Sequence, residues 1–404
     1  MELLVDGYRT YMHLPDPEPA FAVLGLAVAD RMKFDGRAPW LLLNGGSGSG
    51  KTELLTALKR LPRVHQIDSI TEAGMLSGVK AKDRVADATG GFLLKFGLGG
   101  HGIMLNMDLT SVISVDLREL KTALKILRRV YDGEYAREVG ADGGTTIQWY
   151  GRLSFLAGVT QALDHQYHMV SEMGDRYCQI RMLPTDGFAE GVAVVSRLFG
   201  GDNKAVAQQE LVADIVGSFE GTDGLEFITQ KISTALVNCS MFSCLARSHV
   251  PREHYTNDIR GMSDPEAAPR MASSLTQIYA GMRALELDEP SAMRVCKRIA
   301  LDSIPPLRRI ALERIRWGNR IRSLGGGGDD WVTLAQIRDR NYGRPGRWAT
   351  NLEQIAPSSI RRALQDLQYH GLIESKVQEN TTGNFGYRMT GKTNQFWTQG
   401  GFDK

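Results

Sequence analysis

The chain has 404 residues, enough for two or three domains at about 150 residues each, with 42% hydrophobic and 23% charged residues. That balance excludes a disordered chain or a fibrous repeat. Forty-eight basic residues against 46 acidic ones leave a formal charge of +2, which excludes a whole-chain field that gathers nucleic acid or anionic lipid.

Read in chain order, the opening Met-Glu-Leu-Leu-Val-Asp has no basic leader, and no later run approaches the ~18 apolar residues of a membrane span. A soluble, cytoplasmic protein with no membrane partner is expected. The four cysteines, Cys178, Cys239, Cys244 and Cys296, form no CxxC, which argues against zinc and for a reducing compartment. Residues 18 to 33 place Ala20, Leu24, Val28 and Met32 on one helical face. Trp40-Leu-Leu-Leu-Asn44 follows as a buried strand, then a helix over 52–61, a strand over 64–67 and a strand over 102–108. A long helix is predicted from 115 to 131, and a hairpin about Asp142-Gly143-Gly144 between 133 and 151. A buried strand over 153–159 completes a pattern of alternating strands and helices, which points to an α/β fold with a parallel sheet.

Gly45, Gly46, Ser47, Gly48, Ser49, Gly50, Lys51 and Thr52 stand between a strand and a helix, the setting that the GxxxxGK[ST] pattern requires. Glycines let backbone N–H groups turn toward a polyphosphate, Lys51 supplies a cation for it, and Thr52 supplies a hydroxyl for Mg²⁺. ATP and Mg²⁺ are the expected cofactors. Asp108, closing the run Gly102-Ile-Met-Leu-Asn-Met-Asp108, fits a second metal-side carboxylate, and Thr52 and Asp108 are the expected metal residues. Leu109 stands where many such ATPases carry a water-activating glutamate. Glu72, beyond the strand over 64–67, is a candidate in its place, or else an exposed residue at a helix start.

These motifs, with the hairpin, Thr160 at the end of the strand over 153–159, and Arg176 in Asp175-Arg176-Tyr177, resemble an AAA+ ATPase over about residues 18 to 290. The hairpin is similar to the pre-sensor-1 hairpin of the branch that holds the minichromosome maintenance and superfamily 3 helicases of phages and mobile elements. The resemblance implies that Thr160 is a sensor between two catalytic strands, that Arg176 is an arginine finger reaching a neighbour's ATP in a hexameric ring, and that Arg270 is the second sensor. It implies catalytic work for Lys51, Asp108, Thr160, Arg176 and Arg270, to which Glu72 is added as the candidate base. The hairpin tip has no lysine, so Lys80 and Lys82, between the second and third strands, are the candidate DNA contacts of the core, or else part of a solvated charged loop.

Residues 186 to 324 read as a helical lid and basic connector. Within it, positions 297 to 322 hold eight basic residues against Asp302 and Glu313, suited either to phosphate contact or to pairing with acidic neighbours. Gly325 to Gly328 reads as a linker to a module over 325–404. There, a helix about 331–339, a helix over 358–370 capped by Ser358 or Ser359, and a wing over 372–377 and 386–390 resemble a winged helix. Ile360, Ala363, Leu364 and Leu367 share its buried face, leaving Arg361, Arg362, Gln365 and Gln368 outward for DNA. The expected architecture is therefore an AAA+ core over 1–185, a lid over 186–324 and an α+β winged helix over 325–404. The expected function is an ATP-dependent DNA motor, a ring-forming replication helicase or translocase working with other replication proteins. The alternative is an ATP-switched DNA-binding regulator or loader that never unwinds.

Overall fold

The computed structural model describes residues 1–77, 90–140, 144–165, 176–184, 187–197, 201–253, 255–256, 258–323, 331–339, 342, 353–377 and 385–403. The chain opens with helices α1 (Glu2–Arg9) and α2 (Glu18–Arg31), then strand β1 (Trp40–Asn44), helix α3 (Lys51–Thr56), strand β2 (Val64–Gln66) and helix α4 (Glu72–Met75). Strand β3 (Gly100–Asn106), helices α5 (Thr110–Ile113) and α6 (Leu117–Tyr131), strands β4 (Glu134–Val139) and β5 (Thr145–Val159), helix α7 (Ala162–His165) and strand β6 (Cys178–Arg181) follow. Helices α8 (Gly187–Arg197), α9 (Gly201–Gly217), α10 (Gln230–Arg247), α11 (Pro269–Ala284), α12 (Glu289–Asp302) and α13 (Pro306–Ser323) make the long helical stretch. The chain closes with β7 (Val332–Thr333), α14 (Leu334–Arg338), α15 (Pro357–Tyr369), β8 (Ile373–Val377), β9 (Phe385–Met389) and α16 (Gly391–Gln399). Two compact units result, Met1–Ser233 with Arg270–Ile299, and Thr234–Pro269 with Ala300–Lys404.

In the first unit the parallel order is β2-β3-β5-β1-β6. All five residues of β1 are buried, as a central parallel strand covered on both faces demands. β5 changes partner along its length: Thr145 to Tyr150 pair antiparallel with β4, while Gly151 to Ala157 run parallel to β3. The second arm of the expected hairpin and the expected strand over 153–159 are thus one continuous strand. Trp40 anchors the core, with its ring centroid 5.2 Å from Tyr131, 5.1 Å from Phe155 and 5.4 Å from Tyr177, and its Nε1 donating to the Leu153 carbonyl at 2.8 Å. Strand β6, of four residues, was not among the predicted elements. Two strands, β3 and β5, lie between β2 and β1, so Glu72 does not follow a strand adjacent to the phosphate loop.

The second unit contains the winged helix, with the antiparallel order β7-β9-β8, and its compact body also takes in α10 and α13. Phe242, Ile310, Ile315, Ile360, Leu364, Leu367, Phe396 and Trp397 share one buried cluster. The boundary expected at 324/325 is therefore not where the packing divides the chain; the glycine run itself lies outside the described residues. Helix α15 begins with Pro357 after Ala356 and carries no side-chain cap, so neither Ser358 nor Ser359 caps it; a proline at the first position lacks the N–H that would otherwise need a partner. Its apolar face is as expected, with Ile360, Ala363, Leu364 and Leu367 buried.

The polar surprise of α15 is Asp366, which is buried. Arg308 reaches one carboxylate oxygen at 2.9 Å and Arg252 the other at 2.5 Å. Removing one member of a buried ion network leaves uncompensated charge at a cost of about 3–5 kcal/mol. Asp366→Ala is therefore expected to lower the stability of the winged-helix unit by about that amount, read from the denaturant midpoint of its transition; a change below about 1 kcal/mol, the usual range of a surface pair, would contradict this anchoring.

Candidate phosphate-loop site

The loop after β1 is fixed at its first residue: the Gly45 N–H donates to the Val159 carbonyl at 3.0 Å, at the end of β5. Gly48 and Gly50 have φ of 77° and 79°, left-handed backbone that glycine adopts without strain. A Cβ at Gly46 or Gly48 would meet nothing within 4 Å, so space lies over the loop. Lys51, the first residue of α3, turns its Nζ back onto the Gly45 carbonyl at 2.8 Å, the Gly46 carbonyl at 2.6 Å and Ser49 Oγ at 3.3 Å. Burial pushes the Lys51 ammonium pKa down, while the Asp108 and Glu53 carboxylates act in the opposite direction. The loop thus has an open bed of backbone and a cation beside it, which fits a polyphosphate. Thr52 is exposed next to Lys51.

Asp108 lies two residues beyond the end of β3 rather than in the strand. It is exposed, and its Oδ1 accepts the Thr110 N–H at 3.0 Å. The segment is clasped to β5: the Leu109 N–H donates to the Gly158 carbonyl at 2.8 Å, and the Thr160 N–H donates to Thr110 Oγ1 at 2.9 Å. A Cβ at Gly158 would come within 2.6 Å of the Met107 carbonyl, so a glycine is needed for this approach. Leu109 is buried, which leaves no carboxylate at the position after Asp108. The structure therefore gathers Lys51, Asp108 and Thr160, as the motif pattern implies, and adds Thr110, which the motifs did not identify. Glu72 is exposed on α4, where it lines a different cleft of about 520 Å³ with Asp68, Thr71, Arg118 and Glu119.

A groove of about 500 Å³ lined by Arg9 to His13, Phe188, Val192 and Ser196 lies beside the loop. Met12 connects the two, because its methyl would stand 2.8 Å from a Cβ at Gly50. No sequence motif marks these residues; the segment is joined to the loop only by the fold.

Arg176 belongs to a separate cluster. Its guanidinium lies 3.6 Å from the Asp132 carboxylate and 5.5 Å from the centre of the Tyr131 ring, with the side chain 9% exposed. Arg270, exposed at the start of α11, and Arg128 both lower the pKa of Arg176, after the larger effect of burial and against the pull of Asp132. Burial raises the Tyr131 phenol to about 12, so it stays neutral. The two arginines assigned separate roles thus stand in one cationic neighbourhood, with Arg128 as an unforeseen third member.

For DNA, Arg361 and Gln365 are exposed on α15 with Gln368, whereas Arg362 is half-buried and its carbonyl faces Arg252. Lys80 and Lys82 lie outside the described residues. Of the two readings of the basic connector, pairing within the chain describes Arg298, Arg308, Arg309, Arg314 and Arg316. Arg298 holds Asp16 at 2.6 Å and Glu18 at 2.7 Å, Arg308 holds Asp366, Arg309 holds Asp302 and Glu313, Arg314 donates to the carbonyls of Asp339 and Tyr342, and Arg316 meets Asp403 at 2.8 Å. Asp16, Glu18, Asp366 and Asp403 come from outside the run, and a local charge count does not register them.

The strand order, with β5 between the loop strand and the Asp108 strand, is the layout that the AAA+ resemblance implies; the chain has a parallel-sheet α/β unit followed by a winged helix. No family model matches the chain, and no curated protein does. Among solved structures, the chain is similar to the Aeropyrum pernix ORC1 protein in complex with DNA, at 11% identity over 97% of this chain and 94% of that one, with a TM-score of 0.26. The C-terminal region of NrS-1 in its apo A form is 9% identical over 96% of this chain and 76% of that one, with a TM-score of 0.25. Superpositions that loose transfer no residue roles, and the assignments rest on this chain's own geometry.

The clasp gives a direct test. Thr110→Val keeps the shape of the side chain and removes the acceptor of the Thr160 N–H. ATP turnover is expected to fall by about five- to tenfold, the equivalent of one hydrogen bond, with nucleotide affinity unchanged in a titration. Unchanged turnover would show that Asp108 and Thr160 are positioned independently of Thr110.

Proposed function

We propose that the chain is an ATP-dependent DNA motor, a ring-forming helicase or translocase that hydrolyses ATP at subunit interfaces. The observation that carries the reading is the convergence of Lys51, Asp108 and Thr160 at the ends of three neighbouring strands. Lys51 and the backbone of Gly45 to Gly50 would hold the phosphates, and Thr52 and Asp108 would hold Mg²⁺. Bound there, the metal neutralises phosphate charge and orients the terminal group. Arg176, with Arg270 beside it, would serve the nucleotide of a neighbouring copy. Engagement requires Arg176 to exchange Asp132 for phosphate. Arg361 and Gln365 would contact DNA from the exposed face of α15.

A second reading is favoured by Leu109. With an apolar, buried residue where an activating glutamate is common, slow hydrolysis fits an ATP-switched regulator or loader that binds DNA and recruits another protein. Strand displacement by the ATP-loaded protein supports the motor, and DNA binding without displacement supports the switch.

One mixing experiment tests the shared site. Lys51→Ala is expected to weaken ATP binding by about tenfold to a hundredfold, since a hydrogen bond to a charged group is worth about 1.5–3 kcal/mol. Arg176→Ala is expected to bind ATP normally and to lose about 10³-fold in turnover. Mixed together, the two variants should recover part of the activity, because a Lys51→Ala subunit still lends its Arg176 to an intact loop. Mixtures as inactive as either parent at every ratio would contradict a finger acting between subunits.

A further inference from the structure

Helix α6 differs from the connector in how its charges are handled. Asp116 caps it, accepting the Arg118 and Glu119 N–H groups at 2.7 and 3.0 Å. Leu120, Ala123, Leu124, Ile126, Leu127, Val130 and Tyr131 form its buried face. Opposite, Arg118, Lys121, Lys125 and Arg129 are all exposed. At about 100° per residue these four lie within about 80° of one another, along about 16 Å of helix.

None of the four makes an ion pair among the described residues, whereas Arg298, Arg308, Arg309 and Arg316 of the connector are matched to carboxylates. Lys121 and Lys125, and Lys125 and Arg129, stand four residues apart, a spacing at which like charges repel and mildly destabilise a helix. Glu119 is the acid of the stretch, and with Asp68 and Glu72 it lines the cleft that Arg118 borders. That leaves Lys121, Lys125 and Arg129 as the least compensated part of the ladder. The exposed large apolar side chains of this segment, Val115 and Leu117, precede the ladder and do not run beside it, so the surface lacks the apolar flank of a membrane-binding helix. A row of cations one helical turn apart suits the repeated phosphates of a nucleic-acid backbone.

We propose that the exposed face of α6 is a second DNA-binding surface, on which Arg118, Lys121, Lys125 and Arg129 lie along a phosphate backbone without reading sequence. It rests on the reading that DNA is a partner, and it places a contact on the ATPase unit itself, distinct from α15. Since α6 ends at Tyr131 and Asp132, against which Arg176 lies, DNA on this face would be joined by one helix to the arginine cluster.

The test uses the full chain and fluorescence anisotropy over a series of salt concentrations, with a duplex and a single-stranded oligonucleotide of equal length as separate arms. Lys121→Gln/Lys125→Gln/Arg129→Gln is expected to weaken binding at least about tenfold near 0.1 M salt. The slope of log affinity against log salt should become shallower by about 2.7 on duplex, or about 2 on a single strand, for three lost phosphate contacts. Lys121→Arg/Lys125→Arg/Arg129→Lys keeps the charge and should retain the slope. Unchanged ATP affinity and thermal midpoint in the glutamine variant would exclude misfolding as the cause. An unchanged slope in that variant, with binding lost in Arg361→Ala/Gln365→Ala, would overturn the ladder and leave α15 as the DNA contact. Loss of self-association with the slope intact would overturn it in favour of a protein-docking face. A native chain that binds neither oligonucleotide would overturn both the ladder and the DNA reading beneath it.

Discussion

Two hydrogen bonds to neighbouring residues of β5 hold the candidate site together. The Gly158 carbonyl receives the Leu109 N–H and the Val159 carbonyl receives the Gly45 N–H, at 2.8 and 3.0 Å. One short piece of backbone therefore fixes both the phosphate loop and the segment that carries Asp108. The arrangement depends on β5 lying between β1 and β3, and on Gly158 letting the Met107 carbonyl approach. Because the clasp uses backbone and one threonine hydroxyl, the side chains of Lys51 and Asp108 remain available for a ligand. Rigid support with displaceable chemistry is what a nucleotide site needs.

Charge is used in three distinct ways. Arg298, Arg308 and Arg316 are structural, each matched to carboxylates that come from elsewhere in the chain, and Arg309 is matched to Asp302 and Glu313 of its own segment. Their value is in fixing helix positions, since breaking such a pair costs far more than forming it gains. Arg118, Lys121, Lys125 and Arg129 of α6 face solvent instead, and Arg176 occupies a middle state, beside the Asp132 carboxylate and the Tyr131 ring. A net charge of +2 conceals all three.

Local signals carried much of this into the sequence. The run Trp40-Leu-Leu-Leu-Asn44 reads as a central strand because burial on both faces removes the need for polar alternation. The phosphate loop reads directly because its backbone demands glycine at fixed places. Ile360, Ala363, Leu364 and Leu367 give the inner face of α15 through helical period alone. Other features depend on distance in sequence, where no local signal exists. Strand order put Glu72 far from β1, Asp366 found its partners in Arg252 and Arg308, and Met12 reached Gly50 through the fold. Thr110 was within sight, two residues after Asp108, yet its partner Thr160 is 50 residues away. Strand β6 and helix α16 were missed because short or weakly patterned segments are fixed by what they pack against.

The central claim is that the loop, Asp108 and the clasp form one nucleotide site, and a structure of the full chain with Mg²⁺ and a non-hydrolysable ATP analogue tests it most directly. The account predicts that Lys51 Nζ leaves the Gly45 and Gly46 carbonyls for the phosphates, which lie over Gly46 and Gly48, while Thr52 and Asp108 meet at one metal ion. An analogue bound elsewhere, or bound with Lys51 still on its own loop carbonyls and Asp108 turned from the metal, would contradict it.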